Sequence, residues 1–163
     1  MRIIELKGEG FSVGNYSIYW VKEEFAYRYF HKSGILYRFL KEYQNNPERT
    51  DLKNQFKFIT NTFSTNALIT HIKNNEKNRR NVTIDGNYLE MRNEDTQAIS
   101  LHIHEKQINF RCEMLHDAEM LLFPALRSFQ PFLFIMRNDV DNYGWISPVS
   151  KERAYLHGQV LYS

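Results

Sequence analysis

The sequence predicts an α+β fold: a single domain in which a largely antiparallel sheet packs with several short helices. Two changes in the apolar pattern predict this class. After one strand-like run, apolar residues recur every three or four positions up to about residue 72, as in helices. From about residue 82 they recur at every second position, as in strands. A chain of 163 residues is long enough for one domain and short for two.

The N-terminal part predicts strand, helix and helix in that order. Residues 3–7 form a possible first strand, and the β-branched and aromatic run at 16–21 predicts a clearer one. A helix should cover 22–30, because acidic residues in its first turn complement the helix dipole. Gly34 kinks or interrupts it, and helical spacing continues over 35–43.

Two further helices are predicted before the pattern changes. Thr50 or Asp51 should cap the first, which carries an apolar stripe at steps of four, three and four. Ser64 should cap the second. The two stripes are, respectively, Leu52, Phe56, Ile59 and Phe63, and Leu68, Ile69 and Ile72.

Four strands joined by tight turns follow. They are predicted at 82–84, 88–92, 99–104 and 108–111. The dipeptide Asp85-Gly86 is typical of a two-residue hairpin turn, and Glu105-Lys106 can form another.

The C-terminal part returns to a helix and ends in strands. A helix is predicted over 114–129, and Pro124 should kink it or begin a new turn there. The almost wholly apolar run at 131–136 predicts a central strand, and 143–147 a short one after a turn. Since strands mostly follow helices in blocks rather than alternating with them, the sheet should be largely antiparallel.

Composition excludes several classes of protein. Hydrophobic residues make up 42% of the chain, which is too many for a globally disordered protein. The mean hydropathy of -0.56 and the short apolar runs predict no membrane span. One cysteine and the lack of a signal-peptide pattern favour the reducing cytoplasm. A net charge of only +2 argues against direct nucleic acid binding, which usually needs a stronger positive balance.

A search for catalytic or metal-binding patterns leaves one weak alternative. The glycines near the N-terminus precede a strand rather than a helix, so they do not form a phosphate loop. His102 and His104 share one face of a strand and could begin a metal site with His116. Cys112 could be a nucleophile, although a buried structural role fits it better. The alternative function is therefore a His/Cys metal-binding protein or an enzyme of unknown substrate.

A second alternative is binding to nucleic acid through a basic segment. Residues 74–81 are polar and predict an exposed loop. Basic side chains in and beside it could contact phosphates, and such binding would weaken steeply with salt. These side chains are Lys73, Lys77, Arg79 and Arg80.

Aromatic residues are unusually frequent, at 15% of the chain, and either fill the core or form an interface. The helix over 22–30 has two adjacent stripes of apolar residues, one of them formed by Phe25 and Tyr29. One stripe can pack on the sheet while Phe25 and Tyr29 stay partly outside, or a neighbouring helix buries both. On the next helix Gln55 and Phe58 lie off the apolar stripe, as a mixed polar and apolar contact would require.

Three segments resemble one known family. The longest is YSIYWVKEEFAYRYFHKSGILYRFLKEYQ at 16–44, followed by NQFKFIT at 54–60 and YGWISPV at 143–149. They are similar to the family's K-E-E-F-A-x-x-Y-F helix, its Q-x-x-Y/F-I-T helix and its C-terminal Y-G-W-x-x-P-V. On these residues the chain resembles the sporulation inhibitor of replication (SirA) family.

The resemblance implies a cytoplasmic protein of Gram-positive bacteria that is neither an enzyme nor dependent on a cofactor. Such proteins bind the N-terminal domain of the replication initiator DnaA and block initiation as sporulation begins. By residue, it implies partner contacts through Phe25, Tyr29, Gln55 and Phe58, with a Phe at 58 where Tyr is common. No catalytic or metal-binding residue is implied. Residues 1–163 then form one inhibitor domain, with an extension at 1–10 of unassigned role.

Overall fold

The computed structural model describes residues 13–74 and 81–147, and these form a seven-stranded antiparallel sheet with helices on both faces. The strand order is β2-β3-β4-β5-β1-β6-β7, so the first strand lies between two that follow it much later. The strands are β1 (Gly14–Trp20), β2 (Asn81–Asp85), β3 (Tyr88–Arg92), β4 (Ile99–Ile103), β5 (Ile108–Cys112), β6 (Leu133–Arg137) and β7 (Tyr143–Trp145).

The helices cluster in two groups along the chain. A short 3-10 turn at Phe30–Lys32 separates the first two helices. The helices are α1 (Glu23–Tyr29), α2 (Ser33–Asn45), α3 (Thr50–Ile59), α4 (Thr65–Asn74), α5 (Leu115–Leu121) and α6 (Phe123–Phe129).

Alternation along the strands divides the core between the two faces of the sheet. Tyr16 and Ile18 of β1 point into one cluster, which α4, α5 and α6 cover. Tyr19 and Val21 belong to the other cluster, which α1, α2 and α3 cover together with residues of β6 and β7. The α1–α3 layer therefore lies over the β1-β6-β7 side of its face, and the β3-β4-β5 side carries half-buried and exposed polar residues instead.

Most predicted elements are confirmed, and the differences have local causes. The helix break falls at Phe30–Lys32, just before Gly34. The Ser33 hydroxyl stabilises it by donating to the Phe30 carbonyl at 3.0 Å and accepting from the Trp145 indole at 3.0 Å. The helix predicted over 114–129 is two helices, with Pro124 in the first turn of the second, where its missing N–H costs nothing.

Two details of the prediction are wrong. Neither Thr50 nor Asp51 caps α3: Arg49 precedes it without a side-chain cap, and Asp51 pairs with Arg49 at 2.6 Å. Phe63 lies beyond the end of α3, although it is buried as predicted.

Other details agree or cannot be compared. The central strand predicted at 131–136 is confirmed, because β6 is buried along its length and pairs with β1 on one side and β7 on the other. The cap predicted at Ser64 is confirmed, because its hydroxyl accepts from the Ala67 N–H at 3.4 Å. The possible strand at 3–7 and the tail after 147 lie outside the described residues. Within 13–74 and 81–147, no helix has the length and apolar character needed to cross a membrane.

Candidate partner-binding surface

Backbone hydrogen bonds join the start of α1 to the end of α3. The N–H of Lys22 donates to the Ile59 carbonyl at 2.8 Å, and the N–H of Asn61 donates to the Trp20 carbonyl at 2.8 Å. Val21 and Thr60 form an isolated antiparallel bridge between these two bonds. The first turn of α1 is thereby held beside the last turn of α3, which brings two of the predicted site residues together.

Phe25 is the buried member of this pair. Only 8% of it is exposed, and it packs in the cluster beneath α1–α3. The prediction that Phe25 stays partly outside is therefore wrong. Phe58 covers it from α3, with ring centroids 5.3 Å apart and planes at 62°. This edge-on arrangement is one that aromatic pairs favour.

Phe58 is the exposed member, with 60% of its surface open to solvent. Among the described residues it is the most exposed large hydrophobic side chain, and the others in that class are aliphatic or Met. Its position on α3 explains the exposure, because it lies about 100° from Ile59 around the helix axis, away from the buried stripe. An exposed aromatic ring held in place by a buried one is an apolar surface that a partner could cover.

Two cations flank the aromatic pair. The Lys22 ammonium lies 5.6 Å from the centroid of the Phe58 ring, and the Arg28 guanidinium lies 5.7 Å from that of Phe25. Contacts of this kind stabilise an exposed site by about 0.5–1 kcal/mol each. Neither cation was among the candidates taken from the sequence. Their spacing, three residues before and three residues after Phe25, was the available signal.

Gln55 and Tyr29 extend the surface on either side. Gln55 lies three residues before Phe58 on α3, so the two are neighbours on the helix surface. It is exposed, and its side chain makes no hydrogen bond with any residue the structure describes. Tyr29 is half-buried at the edge of the core, as predicted, and makes no ring contact with Phe25 or Phe58.

The four residues considered for a His/Cys site do not converge. Cys112 is 2% exposed on the core side of β5, whereas His102 is exposed on the opposite face of the sheet. His116 is exposed on α5, in the helical layer that covers the same face of the sheet as Cys112. No group of three metal-ligating side chains occurs within 13–74 and 81–147.

The environment of Cys112 also argues against a nucleophile. Burial and, to a lesser extent, the neighbouring Asp117 raise the pKa of its thiol to about 12, with Arg137 partly offsetting them. A thiol must lose its proton to attack or to bind a metal, so Cys112 is unreactive near neutral pH.

The basic segment considered for nucleic acid binding is only partly within the structure. Lys73 is exposed near the end of α4. Lys77, Arg79 and Arg80 lie outside the described residues.

Comparisons with known proteins converge on one family. The family model described as "Sporulation inhibitor of replication protein SirA" matches residues 14–150, which is most of the chain and includes both helices of the surface above. A relative of that name from Bacillus subtilis (strain 168) is 23% identical over 146 residues. The alignment covers 87% of this chain and 98% of the relative.

Proposed function

We propose that this chain, which belongs to the SirA family of sporulation inhibitors of replication, inhibits the initiation of chromosome replication by binding the initiator DnaA. Its target on DnaA is the N-terminal domain, and the contact surface is formed by α1 and α3. Phe58 and Gln55 make the direct contacts, Tyr29 adds a half-exposed ring, and Phe25 supports Phe58 from below. The family match and the B. subtilis relative support the inhibitory role.

The observation that carries this assignment is the exposed Phe58 ring on its buried Phe25 support. A phenylalanine with 60% of its surface in water is unfavourable in the free protein, and a partner that covers it gains the corresponding free energy. Rigid anchoring against Phe25 at 5.3 Å reduces the entropy lost on binding. Gln55 beside it offers both a donor and an acceptor, so it can specify orientation.

Inhibition in this form needs no chemistry. A bound inhibitor that occupies the N-terminal domain of DnaA prevents that domain from serving self-association, and productive assembly at the origin fails. The protein then acts as a regulatory binding protein rather than an enzyme. It would act in the cytoplasm, at the onset of sporulation, without a cofactor.

Binding to isolated pieces of DnaA tests the function. Calorimetric titration of the full chain should show 1:1 binding to the N-terminal domain and none to DnaA lacking that domain. In a reconstituted origin-unwinding reaction, the same protein should inhibit intact DnaA. Binding only to the truncated DnaA, or inhibition without binding to the N-terminal domain, would contradict the proposed target.

Gln55→Ala tests the surface separately from the function. The lost hydrogen bond should weaken binding about 2- to 10-fold, since such a bond is worth about 0.5–1.5 kcal/mol. Lys73→Ala on α4, which packs on the other face of the sheet, is the matched control and should bind as the wild type does. If Gln55→Ala also binds normally, Gln55 is not a contact residue.

A further inference from the structure

The side of the sheet that α1–α3 leave open forms a polar trough. It is built of two cavities of about 340 and 510 Å³, and Asn109 lines both. The first lies between α3 and the β4–β5 turn, and the second lies over β4, β5 and β1. Side chains at alternate strand positions, including Ser100, His102 and Arg111, face this trough because the residues between them point into the core.

The floor of the trough is a fixed network of hydrogen bonds. The almost fully buried Ser17 hydroxyl lies 3.1 Å from the Asn109 side-chain oxygen and 2.9 Å from that of Asn138. Gln107 donates to the same Asn109 oxygen at 2.8 Å. With its oxygen engaged, Asn109 has its amide N–H groups left over, and among the described residues it donates to none. A polar group held in one orientation beside a cavity is typical of a recognition site.

Aromatic rings form a row across β3 and β4. The ring centroids of Tyr88 and His102 are 4.8 Å apart, and those of His102 and His104 are 6.0 Å apart with nearly parallel planes. The Tyr88 hydroxyl also lies 3.2 Å from the Ser100 hydroxyl, which fixes the Tyr88 ring. His102 and His104 are exposed, so flat groups can stack against this row.

Positive charge surrounds the trough at both ends. Lys57 and Lys106 line the first cavity and Arg111 the second, and among the described lining residues Glu105 is the one carboxylate. Glu90, on the neighbouring strand, is paired with Arg92 at 3.2 Å. The excess of positive charge is local and is not visible in the net charge of +2 for the whole chain.

The hydrogen bond and the lowered pKa of Lys106 indicate that these cations lie close together. Its ammonium donates to the Thr60 carbonyl at 3.1 Å. Burial lowers its pKa, as do the charges of Lys22 and Lys57, while Glu105 raises it. An anion bound here would relieve this repulsion between like charges.

We propose that the trough binds a short segment of single-stranded nucleic acid, two or three nucleotides at a time. Exposed rings stack on bases, fixed amides read base edges, and cations at either end hold the phosphates. The width of the trough agrees with a segment of this length. Three gaps of about 4.8 Å between neighbouring strands separate β3 from β1, so the trough is about 14 Å wide. An acidic peptide would use the cations but would leave the row of rings without a role. This binding is independent of DnaA, and it departs from the expectation based on net charge.

Fluorescence anisotropy of the full chain with a labelled 12-nucleotide oligothymidylate tests the site. Binding should saturate, and log K should fall with log salt concentration with a slope of about -2, since three contacts contribute about 0.7 each. A duplex of equal length and a 12-residue polyglutamate should compete weakly. Equal competition by polyglutamate would mean a general anion site and would overturn the assignment, as would absence of binding in 50 mM salt.

Two variants locate the binding. Arg111→Ala should weaken it at least about 5-fold and reduce the slope by about 0.7, because one phosphate contact is lost. His102→Ala should weaken it about 5- to 100-fold with no change in slope, as expected for lost stacking. Both side chains are exposed, so circular dichroism should confirm that the variants fold.

Lys73→Ala is the matched control, because it removes one charge from the opposite layer of the molecule. It should leave both the affinity and the slope unchanged. A loss with Lys73→Ala but not with Arg111→Ala would place binding at the basic segment and overturn the trough. Arg111→Ala should still bind the N-terminal domain of DnaA, so failure of one function is distinguishable from failure of the other.

Discussion

Replacing Phe58 by alanine should reduce the affinity for DnaA by roughly two orders of magnitude. Phe58 has 60% of its surface exposed in the free protein. Sixty per cent of the roughly 200 Å² that a phenylalanine can bury is about 120 Å². At about 25 cal/mol per Å², covering that area contributes ~3 kcal/mol, equivalent to roughly a 150-fold change in Kd.

The same substitution should leave the protein folded. Phe58→Ala loses the ring contact with Phe25 at 5.3 Å and the Lys22 ammonium at 5.6 Å. Together these contacts are worth about 1–2 kcal/mol, which is small against the roughly 5–15 kcal/mol free energy of unfolding of a typical domain. Urea titration followed by circular dichroism should therefore show a modest shift of the midpoint.

Titration calorimetry with the N-terminal domain of DnaA measures the loss of affinity. Met120→Ala is the control, because Met120 is 46% exposed on α5, in the layer on the other face of the sheet. It should bind within about twofold of the wild type. If Phe58→Ala binds equally well while remaining folded, Phe58 is not an anchor and the surface formed by α1 and α3 is not the interface.

Three further predictions concern stability, each measured by urea unfolding. Phe25→Ala should lose about 3–5 kcal/mol, because Phe25 is buried, so any loss of binding in that variant would be confounded by unfolding. Gly86→Ala should lose about 1–2 kcal/mol through backbone strain alone, because Gly86 has φ +63° with open space around it; an unchanged midpoint would contradict this. The pKa of Cys112 is about 12 in the fold against 9.0 in the unfolded chain, so its contribution is complete below pH 9 and is lost as pH rises toward 12. Cys112→Ala should flatten that decline, and an equally steep decline in the variant would assign it to other groups, such as the buried Tyr19.

The fold was largely predictable because each element repeats its own buried face. The helical stripes and the alternating strands each mark one side of an element, and that side is apolar wherever a core lies against it. The separation of Cys112 from His102 could also have been predicted. Cys112 shares its parity with Ile108 and Phe110, whereas His102 alternates with the buried Leu101 and Ile103. Within each strand, this parity alone assigns the thiol to the core and the imidazole to solvent.

The exposure of the site residues could not be predicted in the same way. Helical spacing gives the angle at which Phe25 leaves α1, but it does not say which neighbour covers that side. Here the neighbour is Phe58. The backbone hydrogen bond between Lys22 and Ile59, which are far apart in sequence, holds α3 beside α1 and so places Phe58 against Phe25. The exposed member of the pair therefore comes from α3. Only the tertiary arrangement could decide which of the two rings a partner would meet.

Helix α3 serves two surfaces because consecutive residues leave a helix about 100° apart. Phe58 leaves it toward α1, and Lys57 leaves it toward the trough beside His104. The buried stripe of Leu52, Phe56 and Ile59 anchors the helix between them. The proposed contacts with the initiator domain and with an unpaired strand therefore lie on two flanks of one helix.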